Sequence, residues 1–377
     1  MRIAFIITFC PHHRIRTFET LARYHDVDFY FFSVGEEWYW QQQHGVRMGD
    51  FRYEYLPGFH VGRTRVTPSL VKKLWRGNYD VFVKCINGRF ALPVTFLIAK
   101  LRRRPFVLWT GIWKHPETFF HRLSFPLTRY IYHHADAIAV YGEHVRRYLV
   151  GLGVSNEKIF TAWHAVDNAS YNQRVPTSKL EKLRTELNLS EGSIILYLGR
   201  LEESKGVSFL LEAMSEAGTD DATLLIVGTG SLRHSLEQQA RRAHIADRVR
   251  FPGYISPEET SAYYALADVF VLPSITVPAG KEPWGLVVNE AMNQGLPVIA
   301  TDAVGAATGG LVQDGVNGFV VPERDSQALA QAIGRVLRDA ELRERMSQNA
   351  RQLIAGWDNE RMVKGFRQAI DYAIKNR

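Results

Sequence analysis

Short apolar runs alternate with helical patterns along this chain, and that alternation limits the fold more than any single motif does. Strands in which nearly every residue is apolar are typical of parallel sheets covered by helices on both faces. Two series of such runs predict an α/β protein with two doubly wound domains. The first series of predicted strands comprises Arg2–Phe9, Val27–Ser33, Val81–Cys85, Phe106–Thr110 and Ala137–Tyr141. The second comprises Ile194–Leu198, Thr223–Val227, Val249–Phe251, Val269–Leu272, Pro297–Thr301 and Gly318–Val320.

A linker-like seam near Asn168 to Ser190 separates the two series. We therefore predict a first domain over residues 1–171, a second over 172–357 and a last helical segment over 358–377. A length of 377 residues is enough for two hydrophobic cores. The predicted helices are Ile15–Tyr24, Leu92–Arg103, Pro126–His134, Ser208–Glu216, Ser231–Ala243, Pro257–Ala265, Ala328–Asp339 and Asn359–Lys375.

The composition, with 46% hydrophobic and 23% charged residues, is typical of a soluble globular protein. The two cysteines, Cys10 and Cys85, provide neither a disulfide framework nor metal-ligand spacing, which favours a reducing compartment. The apolar run Ile3 to Cys10 lacks a small-residue cleavage site and is interpreted as a buried strand rather than a signal peptide. No apolar run approaches the roughly eighteen residues of a membrane-spanning helix, so we expect a cytoplasmic protein.

The net charge of +7 is unevenly distributed along the chain. Residues 1–168 contain 23 Lys and Arg against 13 Asp and Glu, whereas residues 169–377 contain 23 against 26. A basic front half indicates an anionic partner, such as a membrane surface, a lipid phosphate or a nucleic acid, or simply a solvated basic face. The basic stretches Thr64–Arg76 and Lys100–Pro105 fit an anionic membrane, with an amphipathic helix around Ser69–Trp75 as candidate anchor.

The stretch EPWGLVVNEAMNQG places two acids, Glu282 and Glu290, around a glycine turn that leads into a predicted helix. A helix N-terminus offers free backbone N–H groups and a positive dipole end to an anion. A carboxylate one turn into that helix could hold hydroxyl groups, so the pair suits a sugar nucleotide. An ordinary amphipathic helix with two solvated acids is the alternative.

The loop YLGRLEESKG follows the first strand of the second series, which ends at Gly199. Arg200 and Lys205 stand in this loop, before the next helix. Two cations at the carboxyl end of a strand suit a diphosphate, which Arg binds bidentately and Lys binds as a point charge. A pair of surface cations is the alternative.

A second glycine turn, LLIVGTGS, joins the next strand and helix through Gly228 and Gly230. Such a turn allows backbone to approach a ligand, or forms a plain tight loop. It is not a dinucleotide fingerprint, because Arg233 stands where that motif needs a third glycine. In RVRFPGYIS, the backbone near Tyr254 could face a base.

These motifs together resemble the retaining glycosyltransferases of family four, which have the GT-B fold. The resemblance rests on GRLEESKG, GTG, FPGYIS, the two acids around WGLVVNEAMNQGLPVIATDAVG, and DGVNGFVVPERD. It covers residues 193–357 strongly and the front half more weakly. It implies two Rossmann-like domains facing across a cleft, with the last helix crossing back to the first domain.

The resemblance also implies roles for individual residues. Arg200 and Lys205 would bind the donor diphosphate and stabilise the charge that develops on it, and Glu282 would lie near the transferred sugar. Glu290 would accept hydrogen bonds from the ribose. The donor-binding positions would be Gly199, Gly228, Gly230, Tyr254, Gly285, Leu286 and Glu290. The family normally needs no metal, and this sequence lacks a His/Cys cluster of ligand spacing, so we expect no cofactor beyond the nucleotide-sugar co-substrate.

The front half departs from the family pattern in two loops. His12, in FCPHHRIR, stands where many relatives have a glycine pair, and could supply charge instead or be solvated. Thr110 and Gly111 stand where relatives often have a histidine, with His115 following. His12, Gly111 and His115 are therefore the candidates on the acceptor side.

The resemblance thus implies a retaining, metal-independent hexosyltransferase that moves a sugar from a nucleotide donor to a glycan or lipid-linked saccharide. Bacterial surface polysaccharide or lipopolysaccharide synthesis at the inner face of the plasma membrane is the expected setting. An epimerase or phosphorylase with the same fold, or a catalytically silent scaffold, is the alternative. A nucleic-acid partner is not expected, because no recognised binding module is present.

Overall fold

The computed structural model describes residues 1–33, 49–189, 191–216 and 221–376, which contain two parallel sheets in two compact units. We call these the first and the second unit. The first unit comprises Met1–Gly111, Phe119–His164 and Asn359–Arg377, and the second comprises Ile112–Thr118 and Ala165–Asp358.

The first unit is built on a seven-stranded parallel sheet with a small antiparallel hairpin beside it. Its strands are β1 (Arg2–Ile7), β2 (Asp26–Phe31), β3 (Tyr53–Tyr55), β4 (Phe59–Val61), β5 (Thr64–Val66), β6 (Val81–Cys85), β7 (Phe106–Thr110), β8 (Ala137–Val140) and β9 (Ile159–Thr161). The sheet order is β3-β2-β1-β6-β7-β8-β9, and β4 pairs with β5. The helices up to β9 are α1 (Ile15–Tyr24), α2 (Pro68–Arg76), α3 (Ala91–Leu101), α4 (Phe119–His134) and α5 (Glu143–Gly151).

The second unit is built on a six-stranded parallel sheet. Its strands are β10 (Ile194–Leu198), β11 (Thr223–Val227), β12 (Val249–Gly253), β13 (Val269–Leu272), β14 (Val298–Thr301) and β15 (Gly318–Val321). The order is β12-β11-β10-β13-β14-β15. Its helices are α6 (Asn168–Tyr171), α7 (Thr177–Glu186), α8 (Val207–Ala213), α9 (Arg233–Arg242), α10 (Thr260–Leu266), α11 (Val287–Asn293), α12 (Gly305–Thr308), α13 (Ser326–Arg338) and α14 (Ala340–Ala355).

The last helix, α15 (Asn359–Lys375), packs into the core of the first unit. The ring of Phe366 lies 5.7 Å from that of Phe5 and 5.2 Å from that of Trp109. A side chain at Gly365 would come within 2.2 Å of the Thr161 carbonyl oxygen, so glycine permits this close approach. Helix α15 therefore completes the first hydrophobic core.

The predicted α/β class with parallel sheets is confirmed, and five of the buried strands have the expected bounds, whereas β1 ends at Ile7, two residues before the predicted end. Strands β6, β7, β10, β11 and β13 begin and end where their apolar runs do. The short strands β3, β4, β5 and β9 were not predicted. Each is three residues long, and the first three have no fully buried residue, so neither length nor apolarity marks them.

Helix α4 begins at Phe119, whereas the sequence predicted a start at Pro126. Proline is favoured in the first turn of a helix. Pro126 instead lies inside the helix, where it removes one backbone hydrogen bond. Its side chain is exposed, so water can reach the carbonyl group that loses its partner.

Two short segments join the second unit although the first domain was expected to include them. Helix α6 packs on α11, and the side chains of Asn293 and Asn168 form a hydrogen bond of 3.0 Å. In the loop after β7, the Glu117 amide donates to the Pro278 carbonyl at 2.7 Å. The division between units therefore lies at His164 and Ala165, which differs from the expected position at 171.

Candidate functional site

The loop after β10 holds Arg200 and Lys205 in a fixed backbone path. The Tyr197 hydroxyl donates to the Arg200 carbonyl at 2.7 Å, so the buried strand supports the start of the loop. A single turn of 3-10 helix ends at Lys205, and Gly206 follows in the left-handed region with φ 63°. A side chain at Gly206 would come within 2.0 Å of the Pro273 carbonyl oxygen. Glycine is thus needed here to place Lys205 against the end of β13.

The second glycine turn packs directly against this loop. Gly228 has φ 135°, and a side chain there would come within 1.9 Å of the Gly199 carbonyl oxygen. A side chain at Gly230 would come within 2.3 Å of the Leu201 carbonyl oxygen. The close approach that the sequence indicated is therefore, in this structure, an approach between two backbone loops.

Lys205 and Glu282, far apart in sequence, form an ion pair between Nζ and Oε2. Both side chains are only 14% exposed, so the pair is largely shielded from water. The Ser274 hydroxyl lies 3.4 Å from the same carboxylate oxygen. The Glu282 carbonyl accepts hydrogen bonds from Trp113 Nε1 at 3.0 Å and from the Gly305 amide at 3.1 Å. Several segments of the second unit thus fix this acid in place.

Arg200 is half-exposed and does not share the Glu282 carboxylate. Its Nη1 donates to Glu202 Oε1 at 2.9 Å, across two residues of the same loop. An exposed ion pair of this kind exchanges easily with solvent and ligands. The structure therefore holds Lys205 in a shielded pair and leaves Arg200 accessible.

The glycine turn before α11 is set by its backbone conformation. Gly285 has φ 89°, and a side chain there would come within 2.6 Å of Leu272 Cδ2. The buried Trp284 donates from Nε1 to Asn289 Oδ1 at 2.8 Å, which ties the turn to the helix. Leu286 is the N-cap residue of α11, and its side chain makes no capping hydrogen bond. The first N–H groups of this helix therefore have no acceptor within it.

Glu290 lies on α11 and is buried. Its Oε2 accepts a hydrogen bond from the Tyr264 hydroxyl at 2.9 Å, and Tyr171 also donates to it. Burial raises the pKa of Glu290 to about 7, although the two hydroxyl groups favour its charged form. Sequence reasoning missed both tyrosines, because no spacing relates them to Glu290.

Tyr254 is exposed and follows Gly253, which has φ 89° at the end of β12. Strand β12 is an edge strand, separated from β10 by β11. The structure therefore places Tyr254 at the border of the sheet whose centre carries Lys205.

The three acceptor-side candidates divide between the units. His12 begins a 3-10 turn in the first unit, and its ring lies edge-on to that of His13 at 5.3 Å. Gly111 is buried there, and a side chain on it would come within 2.4 Å of the Tyr141 ring. His115 belongs to the short segment that joins the second unit. No single unit therefore contains all three.

A buried arginine in the first unit was missed by sequence reasoning. Arg14 is 2% exposed and donates from Nη1 to Met362 Sδ at 3.2 Å. Its guanidinium group contacts the His164 ring and lies 5.2 Å from the Trp109 ring centroid. Burial lowers the pKa of Arg14 to about 10 and the pKa of His164 well below its ordinary range.

A buried lysine lies on β6 of the same sheet. Lys84 Nζ donates to the Cys85 carbonyl at 2.6 Å and to the Asn87 carbonyl at 2.7 Å. It also lies 4.7 Å from the Phe32 ring centroid. Burial lowers the pKa of Lys84 to about 7, so this amine is largely uncharged above neutral pH.

Within the part of the chain that the structure describes, no group of three or more His, Cys, Asp or Glu side chains could hold a metal ion. Across the same residues, no helix combines the length and the apolarity needed to cross a bilayer.

Residues 180–353, which include most of the second unit, match the family described as Glycosyl transferases group 1. The chain is 31% identical over 250 residues to alpha-D-kanosaminyltransferase of Streptomyces kanamyceticus, covering 64% of this chain and 62% of that protein. It is 34% identical over 190 residues to a GDP-mannose-dependent phosphatidylinositol monomannoside mannosyltransferase of Mycobacterium tuberculosis, covering 48% of this chain and 49% of that protein. The chain thus matches less than two thirds of the length of these relatives.

Solved structures match over nearly the whole chain. Anabaena HepE in complex with UDP has a TM-score of 0.78 at 21% identity, covering 98% of this chain and 100% of that one. WaaG, a glycosyltransferase involved in lipopolysaccharide biosynthesis, has a TM-score of 0.70 at 19% identity, covering 97% and 98%. These matches confirm the predicted fold class.

Proposed function

We propose that this protein is a retaining hexosyltransferase that uses a nucleotide-sugar donor and no metal, because residues 180–353 match the family described as Glycosyl transferases group 1. The observation that carries the proposal is the shielded pair of Lys205 and Glu282, together with the accessible Arg200 in the same loop as Lys205. All three residues lie within the family match, at the carboxyl edge of a parallel sheet, where such sheets bind ligands.

The two cations suit the departure of a nucleoside diphosphate. Sugar transfer passes through an oxocarbenium-like state while negative charge grows on the leaving phosphate, and preplaced cations stabilise that charge. Arg200 can bind two phosphate oxygens through its planar guanidinium group, and Lys205 acts as a point charge. This division of labour supports a reaction without a metal ion.

The position of Glu282 follows from its partner. A lysine that binds the donor phosphate while keeping its ion pair would hold the Glu282 carboxylate within a few ångströms of the reacting bond. There the carboxylate can stabilise positive charge on the sugar ring. Ser274 and Trp113 fix the acid from two other segments, so it would be positioned before the donor arrives.

Glu290 suits the ribose hydroxyls. A carboxylate has about four acceptor sites, and Tyr264 and Tyr171 occupy two of them. The remaining sites can accept from the sugar hydroxyls once the acid is ionised. Gly285 and Leu286, at the start of the same helix, would add backbone N–H groups to the phosphate site.

The acceptor is proposed from the relatives and from the charge distribution. One relative is named as a phosphatidylinositol monomannoside mannosyltransferase, and another, LpsE of Rhizobium meliloti, as a lipopolysaccharide core glycosyltransferase. The basic front half fits the same setting. We infer a glycan or lipid-linked saccharide as acceptor and a peripheral location on the inner face of the plasma membrane.

The substitution Lys205→Ala tests the donor site. Nucleoside-diphosphate binding should weaken by about 1.5–3 kcal/mol, the range for a hydrogen bond to a charged group. Isothermal calorimetry measures this, after a thermal-shift panel of UDP, GDP and ADP sugars has identified the base.

Lys182→Ala is the matched control, because Lys182 is an exposed lysine of the same unit, paired with Glu186 on α7. Equal affinities for the Lys205→Ala variant and the wild type would contradict the assignment. Turnover of the donor without an acceptor would instead favour the epimerase alternative.

A further inference from the structure

Helix α4 of the first unit carries a stripe of large apolar side chains that its own unit leaves uncovered. Phe119 is 75% exposed and Leu123 is 72% exposed, and Phe120, Leu127 and Tyr130 are also exposed. At 3.6 residues per turn these five positions fall within an arc of about 100°. Of the two fully buried residues of the helix, Tyr132 lies opposite this arc and Ile131 borders it. Exposed apolar stripes of this size mark interaction surfaces.

The stripe continues onto the neighbouring helix α3. The ring of Phe96 on α3 lies 6.1 Å from that of Tyr130 on α4, so the two helices are in contact. Leu97 and Leu101, one helical turn apart on α3, are both exposed. We call the exposed side chains of both helices the α3–α4 surface: Leu97, Leu101, Phe119, Phe120, Leu123, Leu127 and Tyr130.

The charges around this surface are almost all positive. Residues 81–116 and 118–135 contain no Asp or Glu. Arg122 and Arg129 are exposed and border one side of the stripe on α4, two turns apart. The Arg89 guanidinium carbon lies 5.1 Å from the centroid of the Phe120 ring, at one end of the stripe. Apolar side chains flanked by arginines match a bilayer interface, where acyl chains lie below anionic phosphates.

We propose that the α3–α4 surface docks the protein on a bilayer of anionic phospholipids. The helix would lie in the plane of the interface, with Phe119 and Leu123 inserted and the arginines at the lipid phosphates. A second copy of the chain fits less well, because an isologous contact would bring two surfaces of the same positive charge together. The proposal deepens the membrane location proposed above and rests on that part of the proposed function alone.

The structure favours this surface over the stretch Ser69–Trp75 that the sequence suggested. In α2, Leu70 and Leu74 are buried in the unit itself. Trp75 is 52% exposed and Val71 less so, which leaves a much smaller apolar face. Helix α2 therefore resembles an ordinary amphipathic helix.

Vesicle sedimentation without donor or acceptor tests the proposal. The wild-type protein should bind vesicles of phosphatidylcholine with phosphatidylglycerol more tightly than vesicles of phosphatidylcholine alone, and less tightly at high salt. The double variant Phe119→Ser, Leu123→Ser should lower the partition coefficient at least about tenfold, since two large apolar groups no longer insert. Arg122→Gln and Arg129→Gln should each lower it about fivefold on anionic vesicles.

Trp75→Ser is the matched control, because it removes an exposed aromatic residue of a basic helix in the same unit. It should bind like the wild type. Loss of binding in Trp75→Ser with retention in the double variant would overturn the proposal. Equal binding of the wild type to both kinds of vesicle would also overturn it. So would a wild-type protein that is dimeric and binds no vesicles, if the double variant is monomeric. Calorimetry should show that the double variant binds nucleotide with wild-type affinity. A loss of vesicle binding can then be distinguished from a failure of the donor site.

Discussion

The cations at the carboxyl edges of the two sheets have different kinds of partner. In the second unit, the largely shielded ammonium group of Lys205 meets the carboxylate of Glu282. In the first unit, Arg14 meets a thioether, an imidazole and an aromatic face, and Lys84 meets two backbone carbonyls and another aromatic face. Among the residues that the structure describes, no carboxylate is paired with Arg14 or Lys84. The second edge is therefore electrically balanced by side chains, and the first is not.

This difference teaches how each unit should respond to pH. A base without a carboxylate partner loses its proton more easily when it is buried, whereas a buried acid without a cation keeps its proton. Lys84 represents the first case, and Glu290 in the second unit represents the other. The buried lysine of the first unit and the buried acid of the second should thus change the free energy of unfolding with pH in opposite directions. This difference can be tested directly.

The largest effect is expected from Lys84→Met in the first unit. The pKa of Lys84 is about 7 when folded and 10.5 ordinarily, so between these values the unfolded chain binds more protons. Wild-type stability should therefore rise with pH across this window, by on the order of 5 kcal/mol relative to the variant. Urea unfolding of both proteins at a series of pH values measures this.

Lys100→Met serves as the control, because Lys100 is only partly buried and has Asp136 as its ion-pair partner. A difference between wild type and Lys84→Met that stays constant from pH 7 to pH 10 would show that Lys84 is charged in the folded protein. The proposed contrast between the two edges would then be wrong for the first unit.

A smaller effect of opposite sign is expected from Glu290→Gln in the second unit. The pKa of Glu290 is about 7 when folded and 4.5 ordinarily, so between these values the folded protein binds more protons. The stability that protonated Glu290 contributes is present below pH 4.5 and lost as pH rises through 7. The variant should therefore gain on the order of 3 kcal/mol over the wild type across this window, as followed by urea unfolding.

Glu181→Gln, an exposed acid on α7 of the same unit, should show no such gain. If Glu290→Gln and Glu181→Gln track each other at every pH, burial does not govern the acid at position 290.

The smallest effect on stability is expected from Arg200→Gln, because its exposed pair with Glu202 contributes little. The free energy of unfolding should change by less than about 1 kcal/mol, as is usual for exposed ion pairs. Nucleoside-diphosphate affinity should nevertheless fall in calorimetry. Arg16→Gln removes the similar exposed pair of Arg16 and Glu19 in the first unit and should change neither quantity. Equal nucleotide affinity in both variants would show that accessibility of Arg200 has no link to the ligand.

The two edges also differ in how far the sequence could predict them. Strands β10, β11 and β13 have the bounds of their apolar runs, and the family motifs identified Lys205 and Glu282 as candidates. That these two would pair, and that Glu290 would be buried beneath two tyrosines, depends on how distant segments pack. Periodicity carries no such information.

In the first unit, the sequence predicted a basic loop and a basic front half but not which cations are buried. Arg14 and Lys84 have the same charge as exposed neighbours such as Arg16, and only tertiary packing distinguishes them. The exposed stripe of α4 was missed for a related reason. Pro126 was taken as the start of the helix, which left Phe119 and Leu123 in a loop, where no stripe could be seen.

The placement of α15 has a consequence for how the protein is made. On the ribosome, residues 359–377 emerge after the whole of the second unit has been synthesised. Until then the Phe5 and Trp109 rings lack Phe366, so the first unit keeps an apolar surface open to water and to other nascent chains. Domains generally fold in the order of their synthesis. Here the unit whose synthesis begins first completes its core last. The N-terminal half would therefore need a chaperone that shields apolar surface for the longest time.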